Sequence, residues 1–170
     1  AFYNSEVDVA ASTLDGPPPV TQLWLNTATP PYPNTTPQSA RQITNTTAHE
    51  QGHEFDALAN GAGQANFPSQ LAGMNAAAAK DLAFMQANDP NYAADIAANG
   101  HWLQSGLDGP GWSELFAEEF AIGEAGQILV VDPIIQNYWK CSTFYTQFWM
   151  KNQKSPAAAD YTAANLSRCN

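Results

Sequence analysis

Basic residues are scarce in this chain. Six Lys and Arg stand against sixteen Asp and Glu, which gives a formal net charge of −10. A protein that binds a nucleic-acid backbone needs a cluster of Lys and Arg to displace counterions, and six scattered basic residues do not form one. The same deficit disfavours anionic lipid surfaces, and no stretch reaches the roughly 18 to 20 apolar residues of a membrane-spanning helix. The composition therefore predicts no nucleic-acid partner and no membrane association.

Cysteine is scarce as well, since Cys141 and Cys169 are the two in the chain. A single disulfide between them near the C-terminus suits an oxidising compartment, and two buried free thiols are the alternative. Asn34-Thr-Thr, Asn45-Thr-Thr and Asn165-Leu-Ser are acceptor sequons for N-glycosylation. The first residue is not Met, which is expected of a processed mature form or an excised fragment. Together these features predict a secreted, extracellular glycoprotein.

The first 43 residues differ from the rest of the chain in their predicted secondary structure. Segments 7–11 and 20–26 are short, alternating and rich in residues that favour β-strands. Proline-rich stretches at 16–19 and 29–37 exclude a helix. We expect residues 1–170 to form one α+β domain, with a strand- and loop-rich portion up to residue 43 and a helical portion from residue 44.

The helical portion is predicted from apolar spacing and from cap residues. Leu71, Met74, Ala78, Leu82 and Met85 form one apolar stripe and mark the buried face of a helix. Asp132-Pro133 and Ser155-Pro156 are typical helix starts. Helices are expected at 44–60, 69–86, 91–98, 112–122, 133–151 and from 156 to just before the last cysteine.

The strongest functional signal is the motif His-Glu-Gln-Gly-His at 49–53. On a helix, His49 and His53 project from one face, so both ring nitrogens can bind one zinc ion. Glu50 lies beside the first ligand, where its carboxylate can hold a metal-bound water and take its proton. Chance would supply roughly 0.002 copies of His-Glu-x-x-His in a chain of this composition. The alternatives are a capping box of Thr47 and Glu50, and a histidine pair on a solvated helix face.

A catalytic zinc ion needs a third protein ligand and one open position. Asp56 follows the histidines too closely on the same helix, and His101 lies in a predicted loop. In the segment Ser-Glu-Leu-Phe-Ala-Glu-Glu-Phe, Glu114 and Glu118 share one helix face with small alanines that allow close packing against the first helix. Glu119 is a lesser candidate for the ligand. A solvated acidic stripe is the alternative, although such stripes usually carry interleaved Lys or Arg.

The two motifs together resemble those of a known family. His49-Glu50-Gln-Gly-His53 followed by Glu114-Leu-Phe-Ala-Glu118-Glu-Phe is similar to the catalytic domain of anthrax lethal factor and to the related Pro-Pro endopeptidases, which are gluzincin-type metallopeptidases. The resemblance implies that His49, His53 and Glu114 bind the zinc ion. It also implies that Glu50 is the general base, that Glu118 supports the site from outside the ligand set, and that the domain has a small zincin-like fold.

The chain departs from this family at one catalytic position. The family carries a tyrosine seven residues before the ligand glutamate, whose hydroxyl stabilises the oxyanion, and this chain has Leu107 there. The role of oxyanion donor is left to His101, Tyr138 or Tyr145. His101 and Tyr138 are the two that we include among the predicted catalytic residues, together with Glu50.

These patterns predict a secreted, monomeric zinc metalloendopeptidase with one zinc ion per chain and a peptide or protein substrate. Two alternatives remain: a zinc-stabilised binding module that has lost catalysis, and a zincin that hydrolyses a non-peptide ester or amide. The net charge favours basic or neutral peptides. A preference for proline follows from the resemblance alone. Thr21, Leu23 and Leu25 share one face of a predicted strand, which either pairs with an extended substrate or belongs to the core.

Overall fold

The computed structural model describes the backbone of residues 2–3, 10–14, 20–24, 40–61, 67–99, 112–125 and 138–170, and the side chains of residues 47–59, 67–94, 96–98, 112–123 and 138–170. Six α-helices account for most of these residues. They are α1 (Ala40–Gly61), α2 (Ala72–Asn88), α3 (Pro90–Asn99), α4 (Ser113–Ala125), α5 (Lys140–Asn152) and α6 (Ala158–Ala163). Two 3₁₀ turns accompany them: the first turn, at Pro68–Gln70, precedes α2, and a C-terminal turn, at Ser167–Cys169, follows α6.

Three short strands precede the helices and pair antiparallel in the order β1–β2–β3. They are β1 (Phe2–Tyr3), β2 (Ala10–Leu14) and β3 (Val20–Trp24). The second and third overlap the segments predicted as strands. The predicted α+β fold class is nevertheless wrong. Every element described to the level of side chains is helical, and the buried apolar residues of that part come from helices and turns.

The first four helices lie close to their predicted positions, whereas the last two are shorter than predicted: α5 begins at Lys140, and α6 ends at Ala163. Residues 133–137 of the predicted fifth helix lie outside the described residues.

In α2 the predicted stripe faces inward: Met74, Ala78 and Met85 are fully buried, while Leu71 and Leu82 pack against the same core. The spacing of these residues matches the helical repeat, so burying one face is enough to fix the helix in place. Among the described residues, no helix combines the length and apolar character required to cross a membrane.

The core lies where α5 packs against α2 and α4. Phe116, Tyr145 and Trp149 are almost completely buried there. The indole N–H of Trp149 donates to the Tyr145 hydroxyl at 2.8 Å, and that hydroxyl donates to the carbonyl of Pro68 at 3.1 Å. Because their polar atoms have partners, these large side chains contribute apolar burial without leaving a buried donor unpaired.

The C-terminal turn is fastened to the start of α5. Cys141 and Cys169 form a disulfide with Cα atoms 5.3 Å apart, which confirms the predicted pair. The Lys80 ammonium donates to the carbonyl of Cys169 at 2.6 Å, and the Arg168 guanidinium lies 3.0 Å from Asp81. The last residues of the chain are thus bound to α2 and α5 by one covalent and two polar links.

Candidate metal centre

The helices α1 and α4 cross where both present small residues. A Cβ atom added to Gly52 would lie 2.7 Å from the Cα of Ala117 and 3.1 Å from the Cβ of Phe120. Real side chains do not approach a backbone that closely, so this separation of the helices requires glycine at position 52. Ala117 is fully buried at the crossing, as the small-residue face of α4 predicted. The close approach brings the histidine face of α1 against the acidic face of α4.

Three side chains converge at this crossing. The Nε2 atoms of His49 and His53 are 3.1 Å apart, and they lie 3.3 Å and 3.6 Å from the two carboxylate oxygens of Glu114. Atoms bonded to one zinc ion at about 2.0 to 2.1 Å in a tetrahedron are about 3.3 Å apart. His49, His53 and Glu114 could therefore hold a metal ion as they stand.

The cluster is strongly charged, and two of its three side chains are buried while His53 is partly exposed. His49 is 4 % exposed and Glu114 is 8 % exposed. Burial lowers the pKa of His49, but the Glu118 and Glu114 carboxylates outweigh it and raise that pKa to about 10. Burial alone would raise the pKa of Glu114. The hydrogen bonds from His49 and His53 outweigh the effect of burial and hold the pKa of Glu114 well below its usual range. The carboxylates thus favour a cation here, either a proton or a metal ion.

The second ring nitrogen of each histidine has its own neighbour. His49 Nδ1 lies 3.3 Å from Glu118 Oε1, and His53 Nδ1 lies 3.2 Å from Ser113 Oγ. Metal-binding histidines usually donate their other N–H to such a partner, which holds the ring and its tautomer. Glu118 lies where its expected supporting role requires it. Ser113 was not predicted, because a serine at a helix start is first interpreted as a cap.

Glu50 follows His49 in α1 and is 1 % exposed. The capping-box alternative for this residue is wrong, because α1 begins at Ala40, so Thr47 and Glu50 lie inside the helix and not at its first turn. The chain therefore buries a carboxylate directly beside the first member of the ligand cluster.

Two other acidic candidates point elsewhere. Glu119 is fully buried and accepts hydrogen bonds from the hydroxyls of Thr146 at 2.8 Å and Thr143 at 3.4 Å, both on α5. Burial raises the pKa of Glu119 well above its usual range. Asp56 accepts a hydrogen bond from the backbone N–H of Ser69 at 2.9 Å and another from the Ser69 hydroxyl. Both carboxylates thus hold neighbouring elements together.

The tyrosines considered as oxyanion donors have other partners. The Tyr138 hydroxyl donates to Asp89 at 3.1 Å. The Tyr145 hydroxyl lies in the core and donates to a backbone carbonyl of the first 3₁₀ turn. Neither set of contacts includes the three clustered ligands. His101 and Leu107, the other positions in that prediction, lie outside the described residues.

Comparison with known proteins leaves the function to be inferred from these residues. No protein-family model, curated protein or solved structure matches the chain. What the described residues establish is a group of two imidazoles and one carboxylate, with one imidazole partly exposed, that could hold a metal ion.

Proposed function

We propose that this protein is a secreted zinc-dependent metalloendopeptidase. The observation that carries the proposal is a set of short distances among the ligand atoms. The Nε2 atoms of His49 and His53 are 3.1 Å apart, His49 Nε2 lies 3.3 Å from one oxygen of Glu114, and His53 Nε2 lies 3.6 Å from the other. Glu50 directly follows His49 and is buried. Two imidazoles and one carboxylate are a donor set of catalytic zinc sites, in which three protein ligands leave the fourth position open.

The donor set favours zinc over harder cations. Magnesium and calcium prefer oxygen ligands throughout, whereas imidazole nitrogen suits zinc. Two histidines and one carboxylate also bind ferrous iron in oxygenases. Hydrolysis, unlike oxygen activation, depends on a general base, and the buried Glu50 that directly follows His49 in α1 supports it.

The proposed mechanism assigns a task to each residue of the cluster. Zinc in this donor set would polarise the scissile carbonyl and lower the pKa of water toward about 7. Glu50 takes the proton of the attacking water and then delivers it to the leaving amine. His49, His53 and Glu114 would hold the ion, while Glu118 orients the ring of His49. Burial keeps bulk water from weakening these electrostatic interactions.

Further features support an extracellular peptidase. The disulfide of Cys141 and Cys169 suits an oxidising compartment, and the sequon residue Asn165 is exposed. The resemblance of the two motifs to the lethal factor catalytic domain supports a peptide substrate. The net charge of −10 favours basic or neutral peptides over acidic ones at low salt.

The test compares wild type, Glu50→Gln and Glu54→Gln with a diverse peptide library, with cleavage products identified by mass spectrometry and zinc content measured in each protein. Glu54 lies one turn further along α1 and is half-buried, so it is a matched control. We expect products from wild type and Glu54→Gln, and a loss of about 10²- to 10⁴-fold in rate for Glu50→Gln. All three should retain one zinc ion per chain.

Each other outcome contradicts a particular part of the proposal. Loss of zinc in Glu50→Gln would show that Glu50 is a ligand and not a base. Equal cleavage by Glu50→Gln and wild type would remove Glu50 from the mechanism. A wild type that binds zinc but cleaves no peptide would favour a binding module, or a hydrolase that acts on non-peptide esters or amides.

A further inference from the structure

We propose that Ser113 is a positioning residue of the metal centre, whose hydroxyl holds the ring of His53 with Nε2 directed at the metal ion. The inference deepens the proposed function and rests on it for the presence of a metal. Ser113 Oγ lies 3.2 Å from His53 Nδ1, while Nε2 of the same ring lies 3.6 Å from Glu114 Oε1. A ring nitrogen that binds a metal carries no proton, so neutral His53 keeps its proton on Nδ1 and donates it to Ser113.

The position of Ser113 is itself held by hydrogen bonds. Ser113 is the first residue of α4 and directly precedes the ligand Glu114. The backbone N–H of Trp112 donates to the carbonyl of Ser69 at 3.2 Å. Ser69 in turn donates its N–H and its hydroxyl to Asp56, which lies on α1 three residues after the second histidine. The start of α4 is therefore tied back to the helix whose histidine Ser113 contacts.

The two histidines receive different kinds of support. Glu118, an anion, lies 3.3 Å from His49 Nδ1, whereas the partner of His53 is a neutral hydroxyl. A carboxylate adds negative charge to the ring that it orients, and a hydroxyl orients the ring without adding charge. Position 113 therefore requires a hydroxyl that can accept the hydrogen bond from His53 Nδ1. Threonine also supplies that hydroxyl, whereas alanine and valine do not.

The test measures zinc affinity by competition with a chelator, and the visible absorption of the cobalt-substituted protein, in full-length variants. We expect Ser113→Ala to weaken zinc binding by about 10- to 100-fold and to change the cobalt spectrum, because the ring of His53 is no longer held. Ser113→Thr should resemble wild type. Ser113→Val, which has nearly the shape of threonine but no hydroxyl, should resemble Ser113→Ala and serves in its place if that variant folds poorly.

Ser142→Ala is the matched control for the loss of a serine hydroxyl near a helix start. Ser142 is fully buried at the beginning of α5, where its hydroxyl donates to Asp81 at 2.8 Å. Its replacement should lower thermal stability and leave both zinc affinity and the cobalt spectrum unchanged. Equal losses of affinity in Ser142→Ala and Ser113→Ala would overturn the proposal, since they would indicate general destabilisation.

Two further results would also overturn it. Wild-type affinity and spectrum in Ser113→Ala would show that His53 needs no such partner, and the proposed function would remain intact. Threonine and valine variants that are equally weak would show that the hydroxyl is not what matters. If wild type binds neither zinc nor cobalt, the proposed function fails first and the role of Ser113 fails with it.

Discussion

The α1–α4 crossing and the α2–α5 interface both bury carboxylates, and they supply them with different partners. At the α2–α5 interface, Asp81 accepts hydrogen bonds at 2.9 Å from backbone N–H groups in the first turn of α5, and it pairs with Arg168 at 3.0 Å. At the crossing, Glu114 faces the ring nitrogens of His49 and His53. The first carboxylate is satisfied by donors of the fold itself, whereas the second belongs to a cluster that a metal ion can complete.

Glu114 and Glu119 show the same contrast on a single helix. Glu119 is bonded to threonine hydroxyls, which are neutral and do not offset its charge, so burial raises its pKa. Glu114 is bonded to imidazoles, which can carry positive charge, and its pKa is lowered. A buried acid is therefore recognised as a candidate ligand by the groups that it faces, and not by its burial or its residue type.

The largest expected effect is on zinc affinity, when Glu114 and Glu119 are each replaced by glutamine in separate variants. Glu114→Gln should weaken zinc binding by more than the roughly 10- to 100-fold typical of an outer partner, because it replaces a charged ligand. Glu119→Gln, five residues away on α4, should leave zinc affinity unchanged because its carboxyl faces α5. Chelator competition on both variants measures the difference. A Glu119→Gln variant that loses zinc while Glu114→Gln keeps it would reverse the ligand assignment.

The second effect is a loss of stability when the disulfide that fastens the C-terminal turn to α5 is removed, away from the α1–α4 crossing. Replacing Cys141 and Cys169 by serine opens a loop with a sequence separation of 28. The chain-entropy relation puts the loss in free energy of unfolding at about 3 to 4 kcal/mol. Urea unfolding of wild type and the double variant measures that loss, and chelator competition should give the same zinc affinity for both. A parallel loss of zinc affinity would show that the two regions are coupled.

The third effect concerns the helix crossing. Gly52→Ala places a Cβ atom 2.7 Å from the Cα of Ala117, so α1 and α4 must separate. We expect a loss of about 1 to 3 kcal/mol in the free energy of unfolding, with weaker zinc binding because the ligands move apart.

Gly123→Ala is the control for that substitution. Its Cβ would meet the flexible side chain of Met150, with the sulfur at 3.1 Å. That side chain can move, and alanine favours a helix over glycine by up to about 1 kcal/mol. Thermal unfolding of both variants should therefore separate them, and equal melting temperatures would argue against the tight crossing at Gly52.

The smallest effect is a pH dependence of stability. Burial raises the pKa of Glu119 well above its ordinary value of 4.5, so the folded protein keeps a proton that the unfolded chain releases. Stability from this group is therefore fully present below about pH 4.5 and is lost as pH rises toward the folded pKa. Glu119→Gln should lack this contribution.

Urea unfolding at a series of pH values, at constant ionic strength, measures the contribution of Glu119. Burial raises the pKa of the neighbouring Asp81 as well, and the Asp81 charge itself raises the pKa of Glu119. The difference between the two proteins therefore measures the contribution of Glu119 together with its interaction with Asp81. Wild type should lose more stability than Glu119→Gln as pH rises above 4.5. Identical dependences of the free energy of unfolding on pH in wild type and Glu119→Gln would contradict the raised pKa of Glu119.

Sequence patterns predicted the local features well. The apolar stripe of α2 and the helix that carries His49 and His53 depend on the helical repeat, which is a property of neighbouring residues. The fold class was wrong for a different reason. Alternating residues predicted short strands near the N-terminus, but they do not determine which elements share a core, and the described core is helical.

The sequence by itself determined that two histidines share one helix face in the candidate metal centre, because residues four apart on a helix must lie on one face, whatever the rest of the chain does. Only the tertiary structure decided what those histidines face. The crossing at Gly52 brings Glu114 and Ser113 to them and turns Glu119 toward α5. The contacts at the crossing join residues 60 or more positions apart, and those of Glu119 join residues 24 and 27 positions apart. Their geometry depends on how helices pack, which no local pattern specifies.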